Sequence, residues 1–445
     1  MSALLLQGSA LGAPGRRAAG LFVAVFVLWA TEAVPVAVTA LLAVALQPVL
    51  GIEGVRGAFA SFMSPVFFFV LAMFFLAGAM TASGVERRFA LWLLARAGSD
   101  PRRVLLALMA GTAAISTVVS DVPACAIFMS VALGVLARAG LLPGSSFGKA
   151  VMMGIPIASL IGGVATPAGS AINVLGIYLI EEHAKLRVPF LSWTAIGLPM
   201  VLLLLPVAWW VLQRACPPEM ASIGDGAEVA RDRAALGPLS VAEKKVLGLF
   251  GVLIVLWVAS TWVRALDVSL VALVGSLALF LPGMRLLTWD RAQKGVGWEA
   301  LFVIGGVTAL GSASVRTGLA RWMVDAALGG MTDWSAVWVV AAISAFTVVV
   351  HLALPIAPVI NSVLIPPIVV LAAAAHQNPV LYALPVAFTA SCAFLLPLDA
   401  VPLVTYGKGY YRMFDMLRPG AVISLIWVVW MTFLILVLGP RLGFV

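Results

Sequence analysis

The chain has 445 residues, of which 63% are hydrophobic and only 10% charged, where a soluble domain carries roughly a quarter charged. That balance excludes water as the principal solvent. It also excludes the nucleic-acid reading that a net charge of +8 would suggest in a soluble protein; in a membrane protein the same excess is the positive-inside bias.

From the N-terminus, apolar runs recur at Ala18–Ala30, Val34–Leu50, Pro65–Met80, Val246–Val263 and Val422–Leu438. Runs of about 17–25 residues suit helices crossing the hydrocarbon layer, whereas a β-barrel would alternate over about ten. No cleavable signal peptide is expected, because residues 1–13 are weakly apolar and no charged n-region precedes them. Charged clusters punctuate the runs at Glu86–Arg103, Arg214–Lys245, Arg285–Lys294 and Lys408–Arg418. Positive charge places all four in the cytoplasm. The most polar, which holds Asp225, Glu228, Arg231, Asp232 and Arg233, reads as a linker between two membrane halves. The expected division is a first repeat over 1–215, a linker over 216–243 and a second repeat over 244–445. Cys125, Cys216 and Cys392 have neither metal-type nor disulfide-type spacing.

The halves look alike. Thr81–Leu94 (TASGVERRFALWLL) matches Ser314–Asp325 (SVRTGLARWMVD), with Gly84 opposite Gly318 at an offset of 318 − 84 = 234. Ser120 falls opposite Ala357 at 357 − 120 = 237. In transporters such duplications are often inverted and place the substrate at their interface.

Each half also interrupts its own helices. Gly111–Arg138 has a polar centre of Ser116, Thr117, Ser120, Asp121 and Pro123, and His351–Ala375 is broken by Pro355, Pro358, Asn361 and Ser362. Both read as re-entrant hairpins, about 111–138 and 351–375. The spans near 150–180 and 383–407 are broken at Gly162, Gly163, Pro167 and Gly169, and at Pro397, Asp399 and Pro402. Unwound chain at membrane depth is tolerated only against protein or a wet cavity. Its helix N-termini suit an anion and its carbonyls a cation. Proline kinks in ordinary spanning helices are the plainer reading of any one break, and four breaks in matching positions argue against it.

Several segments resemble the divalent-anion:sodium symporter family of di- and tricarboxylate and sulfate transporters. They are WATEAVPVAVTALL (Trp29–Leu42), IGGVATPAGSAIN (Ile161–Asn173), LGPLSVAEKKVL (Leu236–Leu247) and SCAFLLPLDAVPLVTYGKGYYRMFDMLRPG (Ser391–Gly420). The resemblance implies an all-α polytopic fold with two inverted repeats, two re-entrant hairpins, a homodimer and elevator movement in a bacterial inner membrane. Each family hairpin tip usually carries Ser-Asn-Thr; here the tips read Ser120-Asp121-Val122 and, by register, Ala357-Pro358-Val359. The family's second broken loop usually reads Ala-Thr-Pro-Pro-Asn; here it reads Asp399-Ala400-Val401-Pro402-Leu403.

Substrate contacts are therefore expected from Ser120, Asp121, Val122, Gly169, Ser170, Asn173, Ala357, Pro358, Ala400, Val401 and Pro402. Cation or proton coupling is expected from Ser120, Asp121, Gly169 and Asp399. A carboxylate inside a bilayer is costly and functional by default. The plainer readings are a helix cap for Asp121 and a salt bridge to a base such as Lys408 for Asp399. No Arg or Lys lies within the breaks, so an anion would be held by N–H groups, hydroxyls, dipoles and bound cations. The expected cargo is a C4- or C5-dicarboxylate, moved by cation-coupled symport or by exchange, with sulfate next. A cation/proton antiporter is the closest rival. Sodium is the one coupling ion suggested, with no resident cofactor; the expected partners are the anion, membrane lipid and a second copy, not nucleic acid. A hydrolase is not expected. His183 and His376 read as loop residues and His351 as a helix end, no His-Glu-x-x-His or Gly-x-Ser-x-Gly pattern occurs, and no phosphate loop is present.

Overall fold

The computed structural model describes residues 11–31, 33–223, 226–354 and 356–444. Asp225 and Pro355, singled out above, lie outside the described residues, as does most of the segment 1–13. Every regular element among the described residues is a helix. Among these residues eight helices or helix pairs are long and apolar enough to cross a membrane, and four shorter apolar helices accompany them.

Among the described residues ten helices precede residue 216: α1 Ala13–Thr31, α2 Val36–Val49, α3 Val55–Phe62, α4 Pro65–Ser83, α5 Val85–Ala97, α6 Pro101–Val119, α7 Asp121–Arg138, α8 Ser146–Gly163, α9 Ala171–Ala184 and α10 Phe190–Ala215. α11 (Gly226–Ala235) lies between the two sets. Ten more follow: α12 Val241–Ala259, α13 Val268–Ala278, α14 Trp289–Gly295, α15 Trp298–Arg316, α16 Leu319–Met323, α17 Ala336–Val350, α18 Ala357–Ala374, α19 Pro379–Thr389, α20 Ala400–Tyr406 and α21 Leu417–Leu438.

Taken in order, α1–α10 match α12–α21, and the packing is reciprocal. α4 packs on α13 while its counterpart α15 packs on α2; α7 meets α20 while α18 meets α9; α10 and α21 pack on each other. Matching ends use matching chemistry. Gly84 (φ 78°) closes α4 and Gly318 (φ 76°) follows α15, both in the left-handed region where glycine is favoured. The two basic helices that follow differ, because α16 is only five residues long and continues as a single π turn, Val324–Leu328.

The interruptions follow from backbone proximity as well as from proline. A Cβ on Gly162 would strike the backbone of Ala113 on α6, and one on Gly169 the Gly163 carbonyl. Gly197 of α10 lies against the carbonyls of Val164 and Ala165 at the first break, and Gly420 of α21 lies against the Phe394 carbonyl at the second. Small residues let helices close where no aqueous driving force presses them together.

A candidate ion and anion site at two tip–break contacts

At the first tip the chain reverses at Ser120, whose φ of 94° and ψ of 146° are rare for any residue but glycine. Asp121 follows as the first residue of α7 and is buried. One of its oxygens accepts from the Val122 N–H at 3.1 Å and the Ser120 hydroxyl at 3.2 Å. The other accepts from the Ser170 hydroxyl at 3.0 Å. Ser170 caps α9 by accepting from Ile172 N, so the tip acid is bonded to the start of the helix beyond the break.

Freed groups at this break are satisfied by protein. Asn173 Nδ2 donates to the Gly163 and Thr166 carbonyls at 2.7 and 2.9 Å, and Trp193 Nε1 donates to Val164 O at 2.9 Å. Ser159 donates to the Asp121 carbonyl at 2.6 Å, Ser116 to Ser159 O at 2.7 Å and Thr166 to Thr117 O at 2.7 Å. The Asn173 amide thus spans the break, and its buried Oδ1 has no partner among the described residues.

The second contact is built alike with the acid on the other side. Asp399 is the N-cap of α20, accepting from Val401 N at 3.1 Å, and the Ala357 N–H at the start of α18 also reaches it. Counted from helix starts, Asp121 corresponds to Ala357 and Ser170 to Asp399. Each tip–break pair therefore holds one carboxylate, on the tip in the first half and on the broken helix in the second. This alignment differs by one residue from that read in the sequence, because Ala357, Pro358 and Val359 form the first turn of α18. The two acids lie close enough for their charges to interact. Neither forms an ion pair among the described residues, and Lys408 does not reach Asp399.

Cross-links between the halves were not legible in the sequence. Cys125, four residues after Asp121, donates to Val401 O at 3.5 Å. Asn361, four residues after Ala357, donates to Ile172 O at 3.0 Å. Each second hairpin arm thus holds the opposite half's broken helix, two residues past its cap. Ser159 carried no signal beyond lying on the span that leads into a break.

Some expected ligands are otherwise engaged. The Val401 carbonyl accepts from Cys125, and the Pro402 carbonyl from Thr405 and Tyr411, each at 3.2 Å. Those oxygens serve the fold in this conformation. Val122 and Ala400 are exposed, while Gly169, Ser170 and Ala357 are buried. His183 departs from its loop reading: it lies in the last turn of α9 with Nε2 buried and without a partner among the described residues. His351 does end a helix, and its Nε2 bonds to Ala390 O at 2.6 Å. Cavities of about 20 Å³ beside Ser120 and Pro123 and about 10 Å³ between His351 and Asp399 admit a water or an ion, not a dicarboxylate. This conformation is closed around the acids.

Residues 3–445 match the model of the family described as the sodium:sulfate symporter transmembrane region. The chain belongs to that family. It is similar to a sodium-dependent dicarboxylate transporter, SdcS, of Staphylococcus saprophyticus, 27% identical over 439 residues that cover 93% of this chain and 84% of the relative. A membrane protein of Cupriavidus necator is also 27% identical, over 88% of this chain and 81% of its own. Among solved structures, the Alcanivorax borkumensis YdaH transporter aligns with a TM-score of 0.52 at 13% identity, covering 87% of this chain and 89% of its own. Neisseria gonorrhoeae MtrF aligns with 0.53 at 12%, covering 95% of each. At that identity the likeness shows the fold alone. The chain of this symporter family is a multi-pass integral membrane transporter of helical architecture.

Proposed function

We propose that this symporter-family chain is a secondary active transporter of small divalent anions, C4- or C5-dicarboxylates, coupled to sodium or protons through Asp121 and Asp399. The observation that carries this reading is the pair of tip–break contacts, each holding one buried carboxylate at helix N-termini, the first beside the Ser120 and Ser170 hydroxyls, and neither in an ion pair among the described residues. Carboxylate oxygens are hard ligands suited to a small cation. A cation held there cancels the acid's repulsion of an incoming anion and leaves the α7, α9, α18 and α20 N-termini to attract it. Binding order then follows from electrostatics, cation before anion. The dicarboxylate is favoured by the staphylococcal relative's name, and sulfate by the family's. Reciprocal packing of the halves supports an inverted repeat, and hairpins that lean on the opposite half's broken helix support their moving together, as an elevator of two such chains requires.

The test is uptake of labelled succinate, 2-oxoglutarate and sulfate into proteoliposomes under imposed sodium or proton gradients. Succinate accumulation driven by a cation gradient is the expected result. Sodium/proton exchange that proceeds without any anion would favour the antiporter reading and overturn this one.

A further inference from the structure

A cavity of about 390 Å³ lies away from both acids, where α5, the second arm α7 and the connecting helix α11 meet. Its wall includes the apolar Leu91, Leu94 and Val131. The same wall carries the charged Glu86, Arg87, Arg138 and Asp232. Arg138 and Asp232 pair at 2.6 Å, so they neutralise each other and tether the hairpin arm to α11. Glu86 is only 5% exposed, and its Oε2 is buried with no hydrogen-bond partner among the described residues. Burial holds this carboxyl above its ordinary range. Arg87 is exposed and makes no ion pair with a described carboxylate.

A hydrogen bond from Thr81 reaches this carboxyl, and a ligand N–H satisfies the oxygen left without a donor once the side chain turns into the cavity it lines. A guanidinium fork matches a phosphate. α5 stacks Arg96 over Trp92 at 3.9 Å, an arrangement suited to headgroup depth in a bilayer. The volume falls within the roughly 300–1,000 Å³ of small-molecule sites.

We propose that this cavity binds the phosphoethanolamine headgroup of a membrane lipid. The primary ammonium donates to Glu86, the phosphate accepts from Arg87, and the glycerol end lies on Leu91, Leu94 and Val131. Because α5 and the hairpin arm both line it, a bound lipid holds the two together. The inference does not depend on which anion is carried.

Native mass spectrometry of the purified protein in equimolar phosphatidylethanolamine, phosphatidylcholine and phosphatidylglycerol tests it. The ethanolamine lipid is retained preferentially, since the choline lipid has no N–H to donate and the glycerol lipid brings no cation. Glu86→Gln and Arg87→Ala each lower that retention roughly tenfold, with no change in thermal midpoint in lipid-free detergent. Equal retention of the three lipids by the wild-type protein overturns the proposal without any variant. Soluble glycerophosphoethanolamine distinguishes the source: failure to displace bound lipid at equal concentration supports a lipid site, and displacement overturns it in favour of a free phosphoamine.

Discussion

Replacing Asp121 with Asn separates its charge from its place in the fold. Three donors converge on this carboxylate: Val122 N–H at 3.1 Å, the Ser120 hydroxyl at 3.2 Å and the Ser170 hydroxyl at 3.0 Å. An amide keeps an oxygen for the first two, and the Ser170 hydroxyl can turn to accept from the new N–H. Asp121→Asn should therefore cost under about 1.5 kcal/mol in stability, whereas Asp121→Ala strands the donors and should cost about 2–4 kcal/mol. The charge itself is worth more. A cation about 4 Å from a carboxylate gains about 4 kcal/mol at an effective dielectric of 20, roughly three orders of magnitude in affinity. Partial hydration reduces this, so the sodium concentration for half-maximal succinate uptake should rise roughly 100-fold or more. Uptake into proteoliposomes, measured against sodium and pH with the thermal midpoint as a folding control, reads both quantities. A folded Asp121→Asn protein with wild-type sodium and pH dependence would refute the assignment of coupling to this acid.

Other perturbations address the frame around the acids. Gly162→Ala puts a methyl into the Ala113 backbone and should cost about 2–3 kcal/mol, while Gly248→Ala, with nothing within 4 Å of the added atom, should be neutral or slightly stabilising; thermal melts in one detergent compare them. Ser120→Gly exchanges relief of the strained φ for loss of a hydroxyl bond and should stay within about 1 kcal/mol of wild type, whereas Ser120→Val should destabilise by about 1–3 kcal/mol. Arg88 bonds Glu243 at 2.5 and 3.1 Å and also the carbonyls of Leu236, Gly237 and Pro238, so Arg88→Met should cost about 3 kcal/mol at neutral pH. The Arg88 hydrogen bond holds Glu243 down from 4.5 to about 2. A lowered carboxyl stabilises above its unfolded value, so the gap between wild type and Arg88→Met should be complete above about pH 4.5 and shrink as pH falls towards 2; a gap that stays constant through that window would sink the ion-pair account.

The break at Ser120 and the two helix interruptions were legible because glycine and proline act through the local backbone, at the place where they stand; the second hairpin was misplaced, since Asn361 and Ser362 lie inside the continuous helix α18 and the chain turns before Ala357, after α17. Gly162, Gly163, Pro167 and Gly169 read as a break in the sequence, and residues 164–170 leave the α-helix in the structure. The tips were misread by one residue in the second half, since Pro358 serves α18 as a first-turn proline and does not interrupt it. His183 was read as solvated from its charged neighbours, yet it is only partly exposed and its Nε2 is buried in the last turn of α9. Burial depends on what packs opposite, and no neighbour in sequence reports that.

Composition alone determined that lipid is the solvent, and from it that backbone polar groups must be satisfied by helices, with exceptions only where protein or cavity takes them up. The order of residues also showed two acids within apolar segments and a repeated order of elements. Only the tertiary structure decided their partners. Cys125 meets Val401 across 276 residues and Asn361 meets Ile172 across 189. Asp121 meets Ser170, while its counterpart Ala357 meets an acid supplied from the other side of the contact. Such pairings are set by how the two halves close on each other through small residues and reciprocal grooves, a long-range outcome that no local propensity encodes.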